Sequence, residues 1–530
     1  MDQRYRYFFT SVLLFLGLTA ACLPSAAAPT VPPPPSTTTP VTLYAAGTHP
    51  VAERAGPASP PTAQATHQSP TTPPSCTAAS SASPLAYNIQ ADVDYANKTV
   101  QVEQDISFTN TETNALDKLV FYVHPNKQPG IFHLETVSLP GITEPVQSTL
   151  EGVRLEIALD APLQPDCTQE ISLSYELTVP RMGIGHFPRQ GYLGTSDRQF
   201  NLGFWLPVLA YYNDETWHTP VPINIGEQMV TPAADYHVTL TLKNAPDDLL
   251  VVGPGHMAQD GTTWEFTLPA ARDFTLSMST AYRQFIEQSE DVQVEVYTLD
   301  NTQTAGNAQT TTTLQNDAGT HTLAITAAAL ELFADLYGPY PYERLIVIES
   351  DFPDGMEFSG LVFVGGEWFR TYQGDPAGYL TLITVHEVAH QWWYNLVGND
   401  QSTQPWLDEA LAITSEYVFL QENYPDLTDW WWEFRVNGYF PQGAVDATVY
   451  EFNTVRGYIN AVYLRGAQFL HAIRQEIGTE AFFQWLADYA ANMRHQIAEP
   501  ADLWQALPVN LQEATQEIRA QYLRNPEINN

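Results

Sequence analysis

A chain of 530 residues is too long for one ordinary hydrophobic core, and its 44% hydrophobic and 12% aromatic content is that of a folding protein. Sixty acidic side chains against 22 basic ones give a formal charge of −38. That excludes nucleic acid or an anionic lipid surface as the main partner, since both are bound through clustered Lys and Arg, and fits a solvated, soluble surface.

The N-terminus reads as an address. Arg4 and Arg6 precede an apolar run from Phe8 to Ala21, followed by Cys22. The run is short for a bilayer span and suits an export signal over residues 1–22. Ala20 and Ala21 before Cys22 have the form of a bacterial lipobox, in which Cys22 is lipidated and holds the chain at the membrane. Thr19 stands where leucine is usual, so ordinary signal cleavage or an uncleaved anchor stays open. Residues 23–84, with stretches such as "VPPPPSTTTP", hold too few large apolar side chains for a core and are expected to form a disordered tether. Beyond Cys22 only Cys76 and Cys167 remain. In an exported chain they invite a disulfide pinning the end of the tether to the first domain, two unpaired thiols being the alternative.

From residue 85 to 286 the texture is alternating. "TVQVEQDISFTN", "VRLEIALD", "EISLSYELTV" and "YHVTLTLKN" place apolar residues at every second position, which predicts half-buried strands and a β-sandwich or saddle-like sheet domain. Residues 287–320 contain one more strand, "VQVEVYTL", then a Thr-, Asn- and Gln-rich stretch expected to be a flexible connection. Helical periodicity fills residues 321–507. "TLAITAAALELFADLYG" predicts an amphipathic helix ending at Gly338. A buried strand, "RLIVIES", precedes a motif helix around Tyr379 to Leu396, and "PWLDEALAITSEYVFLQ" predicts the next helix. Residues 508–530 are expected to be a C-terminal tail.

The motif helix carries "VHEVAHQWW". Burying His386, Glu387 and His390 among Val385, Val388 and two tryptophans is costly without a partner. His386 and His390, one turn apart, project from one face and can both reach a single Zn²⁺, with Glu387 beside the metal. A catalytic zinc has three protein ligands and an open position, and Glu409 on the following helix is the candidate third. The histidines bind neutral, the cation compensates Glu409, and Glu387 is placed as general base and acid for a water whose pKa the metal lowers.

With these motifs the sequence resembles the gluzincin aminopeptidases related to aminopeptidase N, from about residue 85 to about 507. The resemblance is strongest in "YGPYPYERLIVIES", "GMEFSGLVF", "HEVAHQWW", "VGNDQSTQPWLDEALA" and "VYLRGAQFL". It implies a multidomain α+β fold, an N-terminal β-saddle domain followed by a mainly helical thermolysin-like zinc-peptidase domain with one Zn²⁺. "GMEF" matches the family's exopeptidase motif, so Gly355, Met356 and Glu357 are implied as substrate-binding, Glu357 holding the free α-amine. Tyr463 in "VYLRG" matches the family's tyrosine that hydrogen-bonds the oxyanion, with Arg465 in place of lysine. Phe358 replaces the asparagine that usually closes the exopeptidase motif, Asp354 replaces a common glycine, and "DEALA" replaces the frequent "NEGFA".

The expectation is an extracytoplasmic, membrane-tethered zinc aminopeptidase acting on peptide or protein substrates. A zinc endopeptidase of the same architecture and a non-catalytic binding relative are the alternatives. The short stretch after Tyr463 leads to the further expectation that the large helical C-terminal domain of many relatives is missing and the cleft more open.

Overall fold

The computed structural model describes residues 83–142, 145–183, 191–300 and 308–526. The expected export signal and nearly all of the expected tether, with Cys22 and Cys76, lie outside the described residues. Cys167 is disulfide-bonded.

The alternating segments form the expected strands. Leu85–Asp94 buries Leu85, Tyr87, Ile89, Ala91 and Val93 and turns the intervening residues outward. It pairs antiparallel with Thr99–Thr109 and parallel with Ala234–Lys243 inside a seven-stranded sheet. A four-stranded sheet containing Leu116–Tyr122 and Arg154–Leu163 shares the same apolar core. Tyr87 links the two layers: its ring lies 5.0 Å from that of Tyr236, and its phenol oxygen accepts the Leu209 N–H at 2.8 Å.

A five-stranded mixed sheet opens the second domain, ordered Tyr282–Ser289, Val292–Leu299, Arg344–Ser350, Leu361–Gly365 and Gly355–Met356. The strand "VQVEVYTL" therefore belongs to this sheet, paired parallel with Arg344–Ser350, and Gly355–Met356 forms its edge. Helices build the rest around a second core rich in tryptophan.

Three boundaries differ from expectation. The helix ending at Tyr337 begins at Ala308, so most of the Thr- and Gln-rich connection is helical. Its packing explains this: Ala318 and Thr322 are fully buried, and a side chain at Gly319 would collide with the Phe285 ring. The motif helix is Tyr379–Ala389, shorter than expected, with His390 as its C-cap. The expected tail holds helices Val509–Ala514 and Gln516–Tyr522, docked through Tyr522 on Phe469 and the Val445 N–H on the Tyr522 carbonyl.

The two domains meet through aromatic knobs. Side chains added at Gly191 and Gly203 of the sheet domain would overlap Phe352 and Phe358 respectively. Phe358 is fully buried, with its ring 4.8 Å from that of Phe204.

The central strand carries one buried carboxylate remote from the helical motif. Glu349 is fully buried, and one of its oxygens accepts the Leu299 N–H at 2.8 Å. Burial pushes its pKa up to about 7, against that hydrogen bond and the charges of Arg198 and Arg370. The folded state thus binds this proton more tightly than the unfolded chain. The stability it contributes is full below about 4.5, the unfolded carboxylate range, and is lost as pH rises through about 7. Glu349→Gln should remove this dependence. Relative to the parent, its unfolding free energy should rise by roughly 2–3 kcal/mol between pH 5 and pH 8 in denaturant titrations. A pH-independent difference between the two proteins would contradict the assignment.

Candidate metal centre

His386 lies in the last turn of Tyr379–Ala389 and His390 at its cap, so the helix end presents both imidazoles to one side. The returning helix Trp406–Asn423 carries Glu409 in its first turn. Glu409 Oε2 lies 3.1 Å from His386 Nε2 and 3.4 Å from His390 Nε2. Ligand atoms of the three residues fall within 4.8 Å of one another, and the side chains are almost wholly buried.

The other ring nitrogens decide what these imidazoles can do. His386 Nδ1 is 3.0 Å from Glu416 Oε1, and His390 Nδ1 is 2.8 Å from the Trp393 carbonyl. Both partners are acceptors, so each Nδ1 carries a proton, and Nε2, which donates to Glu409 while the ring is protonated, is the atom left to a metal when the ring is neutral. Glu416 is itself gripped by Arg435, at 2.9 and 2.8 Å, and by the Trp431 indole N–H at 3.1 Å. Two imidazole nitrogens and a carboxylate converging at a buried point fit Zn²⁺. Burial works against the Glu409 charge, yet the hydrogen bonds from His386 and His390 hold its pKa well below the usual carboxylate range.

Glu387 is 4% exposed. Its carboxylate lies against Gly355, where an added Cβ would fall far inside contact distance of Glu387 Oε1. The edge strand is thus glycine at the point where Glu387 sits. Glu357 is also buried, has an oxygen within 4.8 Å of Glu387 and His390, and accepts the Gln401 amide at 3.2 Å. Asp354 adopts a left-handed φ of 64°, which explains glycine's frequency there and why aspartate is tolerated. Tyr463 sits in a π-helical turn, Ile459–Leu464. Its phenol donates to Glu409 Oε1, and its ring stacks on His386 with centroids 5.8 Å apart. Arg465 points away, its guanidinium over the Tyr522 ring and its Nη2 donating to the Gln521 carbonyl.

The structure thus brings together His386, Glu387, His390, Glu409, Glu357 and Tyr463, with Gly355 and Met356 beside them. Met356 and Tyr463 line a cleft with Tyr192, Phe204, Glu227 and Tyr458. Sequence reasoning missed Glu416 and Glu227. Glu416 had a signal, standing seven residues after Glu409 and so on the same helical face. Glu227, with an oxygen within 4.8 Å of Glu357 and Glu409, comes from an irregular segment that no pattern marks.

Residues 321–522 match the family model described as peptidase family M1 domain. Aminopeptidase M1 of Arabidopsis thaliana is 26% identical over 234 residues, 39% of this chain and 25% of that protein. Aminopeptidase N of Lactococcus lactis subsp. lactis is 26% identical over 210 residues, 35% of this chain and 24% of that protein. The matched segments span about a quarter of the length of these curated relatives. Among solved structures, an M1 zinc metallopeptidase from Deinococcus radiodurans aligns with TM-score 0.59 at 18% identity, covering 83% of this chain and 94% of that one. That likeness shows the two-domain fold. Fold, motif set and domain match together support a gluzincin of the aminopeptidase N-like kind, with residues 321–522 carrying the match to the peptidase family M1 domain. The metal this family implies is zinc.

Two measurements probe the centre. Glu416→Gln leaves the ligands in place but weakens the partner that orients His386, so zinc affinity measured against a competing chelator should fall about 10- to 100-fold. Gly355→Ala should displace Glu387 without touching a ligand. Zinc content should stay stoichiometric while peptidase turnover falls at least about 100-fold, and unchanged turnover would refute the contact.

Proposed function

We propose that this chain is an extracytoplasmic zinc aminopeptidase that removes residues from the free N-termini of peptides. The observation that carries this reading is the placement of Glu357 in the same buried pocket as Glu387 and His390. A buried carboxylate beside the metal ligands suits a substrate ammonium, and its fixed separation from them sets the cut one residue in. Glu227 and Glu409 lie within 4.8 Å of it, so the ammonium meets several acceptors.

When bound, zinc polarises the scissile carbonyl and acidifies water at its open position. The chain supplies the rest. Glu387 takes the proton of the attacking water and returns it to the leaving amine. Tyr463, reaching Glu409 from within the cleft, is the donor for the oxyanion, a role worth about two orders of magnitude in rate. Glu416 and the Trp393 carbonyl hold the imidazole tautomers. Gly355 and Met356 form the strand edge along which the substrate lies.

The location is inferred from the N-terminal residues. Arg4 and Arg6, the apolar run to Ala21 and the small residues before Cys22 support export with lipidation at Cys22. A disulfide at Cys167 supports an oxidising compartment. An endopeptidase is the rival reading, favoured by Phe358 in place of the family's asparagine. The deciding experiment is hydrolysis of paired free and N-acetylated aminoacyl fluorogenic substrates by the zinc-loaded protein, with and without chelator. Free substrates should be preferred at least about 100-fold, the chelator should abolish turnover, and Glu387→Gln should retain zinc while losing activity. Equal turnover of the acetylated series would establish the endopeptidase instead.

A further inference from the structure

Two adjacent side chains of the sheet domain reach further into this site than their position in the sequence suggests. Arg272 and Asp273 follow the strand Thr263–Ala271 and are 1% and 5% exposed. The Arg272 guanidinium donates to four backbone carbonyls: Asn395 at 3.1 Å, Thr231 at 3.1 Å, Leu396 at 3.3 Å and Gln496 at 2.7 Å. Its own N–H donates to Ser359 Oγ at 3.1 Å. Asp273 accepts the Ser359 N–H at 3.1 Å and the Tyr394 hydroxyl at 2.5 Å, with Ser359 Oγ at 3.4 Å. One dipeptide therefore grips Ser359, two residues after Glu357, together with the turn that follows His390. It also grips Thr231, on the segment that carries Glu227.

That turn needs an anchor. After His390 the backbone bonds widen, with the N–H groups of Asn395, Leu396 and Val397 reaching the carbonyls of His390, Gln391 and Trp392. Tyr394 takes a φ of 146°, a conformation that persists only where surroundings over-determine it. The Asp273 hydrogen bond to its phenol is such a determinant, and the same carboxylate's other oxygen fixes the loop that bears Glu357.

We propose that Asp273, backed by Arg272, is a positioning residue that sets the span between Glu357 and the His386–His390–Glu409 set, and through it the preference for a free N-terminal amine. Asp273 does not touch the substrate; it acts through Ser359 and Tyr394. The proposal rests on Glu357 being the partner of the substrate ammonium. A charged contact of that kind depends steeply on distance, so loosening the loop weakens binding of the amine while leaving the metal and the acid–base group in place.

The test uses the zinc-loaded full chain and three variants. Asp273→Ala should raise KM for a free aminoacyl amide about tenfold, leave kcat within about threefold, and lower the free-over-acetylated ratio of kcat/KM by a similar factor at unchanged zinc content. Asp273→Asn keeps an oxygen for the Ser359 N–H and an amide that can donate to the phenol, and should restore most of the parental KM. Tyr394→Phe should shift KM in the same direction by less. Dissociation constants for L-leucine, read by calorimetry, should follow the same order. Parental KM and selectivity in Asp273→Ala, or a fall in kcat and zinc content with KM unmoved, would overturn the proposal. If Asp273→Ala does not fold, the double variant Asp273→Asn/Tyr394→Phe decides, and parental KM there overturns it equally. A parent that does not distinguish free from acetylated substrates would remove the amine-site reading and this proposal with it. Intact parental selectivity with an unaffected Asp273→Ala would overturn this proposal alone.

Discussion

The contacts of the Glu409 carboxylate are the interaction on which the helical half depends. The carboxylate meets His386, His390 and Tyr463 at once, from two helices and a π-helical turn. Around it Glu357, Glu387, Asp408 and Glu416 are all less than 5% exposed. Burying that much negative charge is strongly unfavourable unless cations answer it. Arg435 answers Glu416 directly. Burial, and then the neighbouring Glu409 charge, pushes the Asp408 pKa well up. The remaining carboxylates border the point where the His386 and His390 Nε2 atoms converge. A divalent ion held there would compensate them and let so polar a cluster occupy the centre of a tryptophan-rich core.

Much of this was legible in the sequence because helical geometry is local. His386 and His390 share a face through their spacing, and Glu416 follows Glu409 by two turns of one helix. The strands of the sheet domain were legible for the same reason, since alternation survives into burial along Leu85–Asp94. The exceptions have physical causes. Residues 308–320 are composed like a linker, yet Gly319 lets Phe285 close on the helix axis and Thr322 returns its hydroxyl to the Ala318 carbonyl. Tertiary contact overrides composition there. Glu227, Gln401 and Asp273 reach the site from segments far apart in the chain, and nothing short of the folded structure places them together.

Phe358 shows how a departure from a family pattern can be absorbed. An asparagine at that position would bring an amide to be satisfied. Phenylalanine instead packs against Phe204 and, more distantly, Tyr192 and Phe363. The cost is carried at Gly203, which must lack a side chain for the ring to enter. Glu357 is thus held from one side by an apolar knob in the neighbouring domain and from the other by the Gln401 amide, which also bonds Asp408 at 3.1 Å. The loop keeps its place although its hydrogen-bonding residue has gone.

The same logic applies to the end of the motif helix. A helix continuing to Leu396 would have satisfied its carbonyls internally and would have left His390 in mid-helix. Ending it at His390 frees the Trp393 carbonyl to fix that imidazole's tautomer and leaves the Asn395 and Leu396 carbonyls for Arg272. The strained Tyr394 backbone makes that reversal possible. The metal helix is therefore terminated by contacts from the sheet domain rather than by its own capping sequence. The two domains are consequently joined at the chemistry itself, and a change that loosens their contact near Asp273 acts first on the geometry between the metal ligands and Glu357.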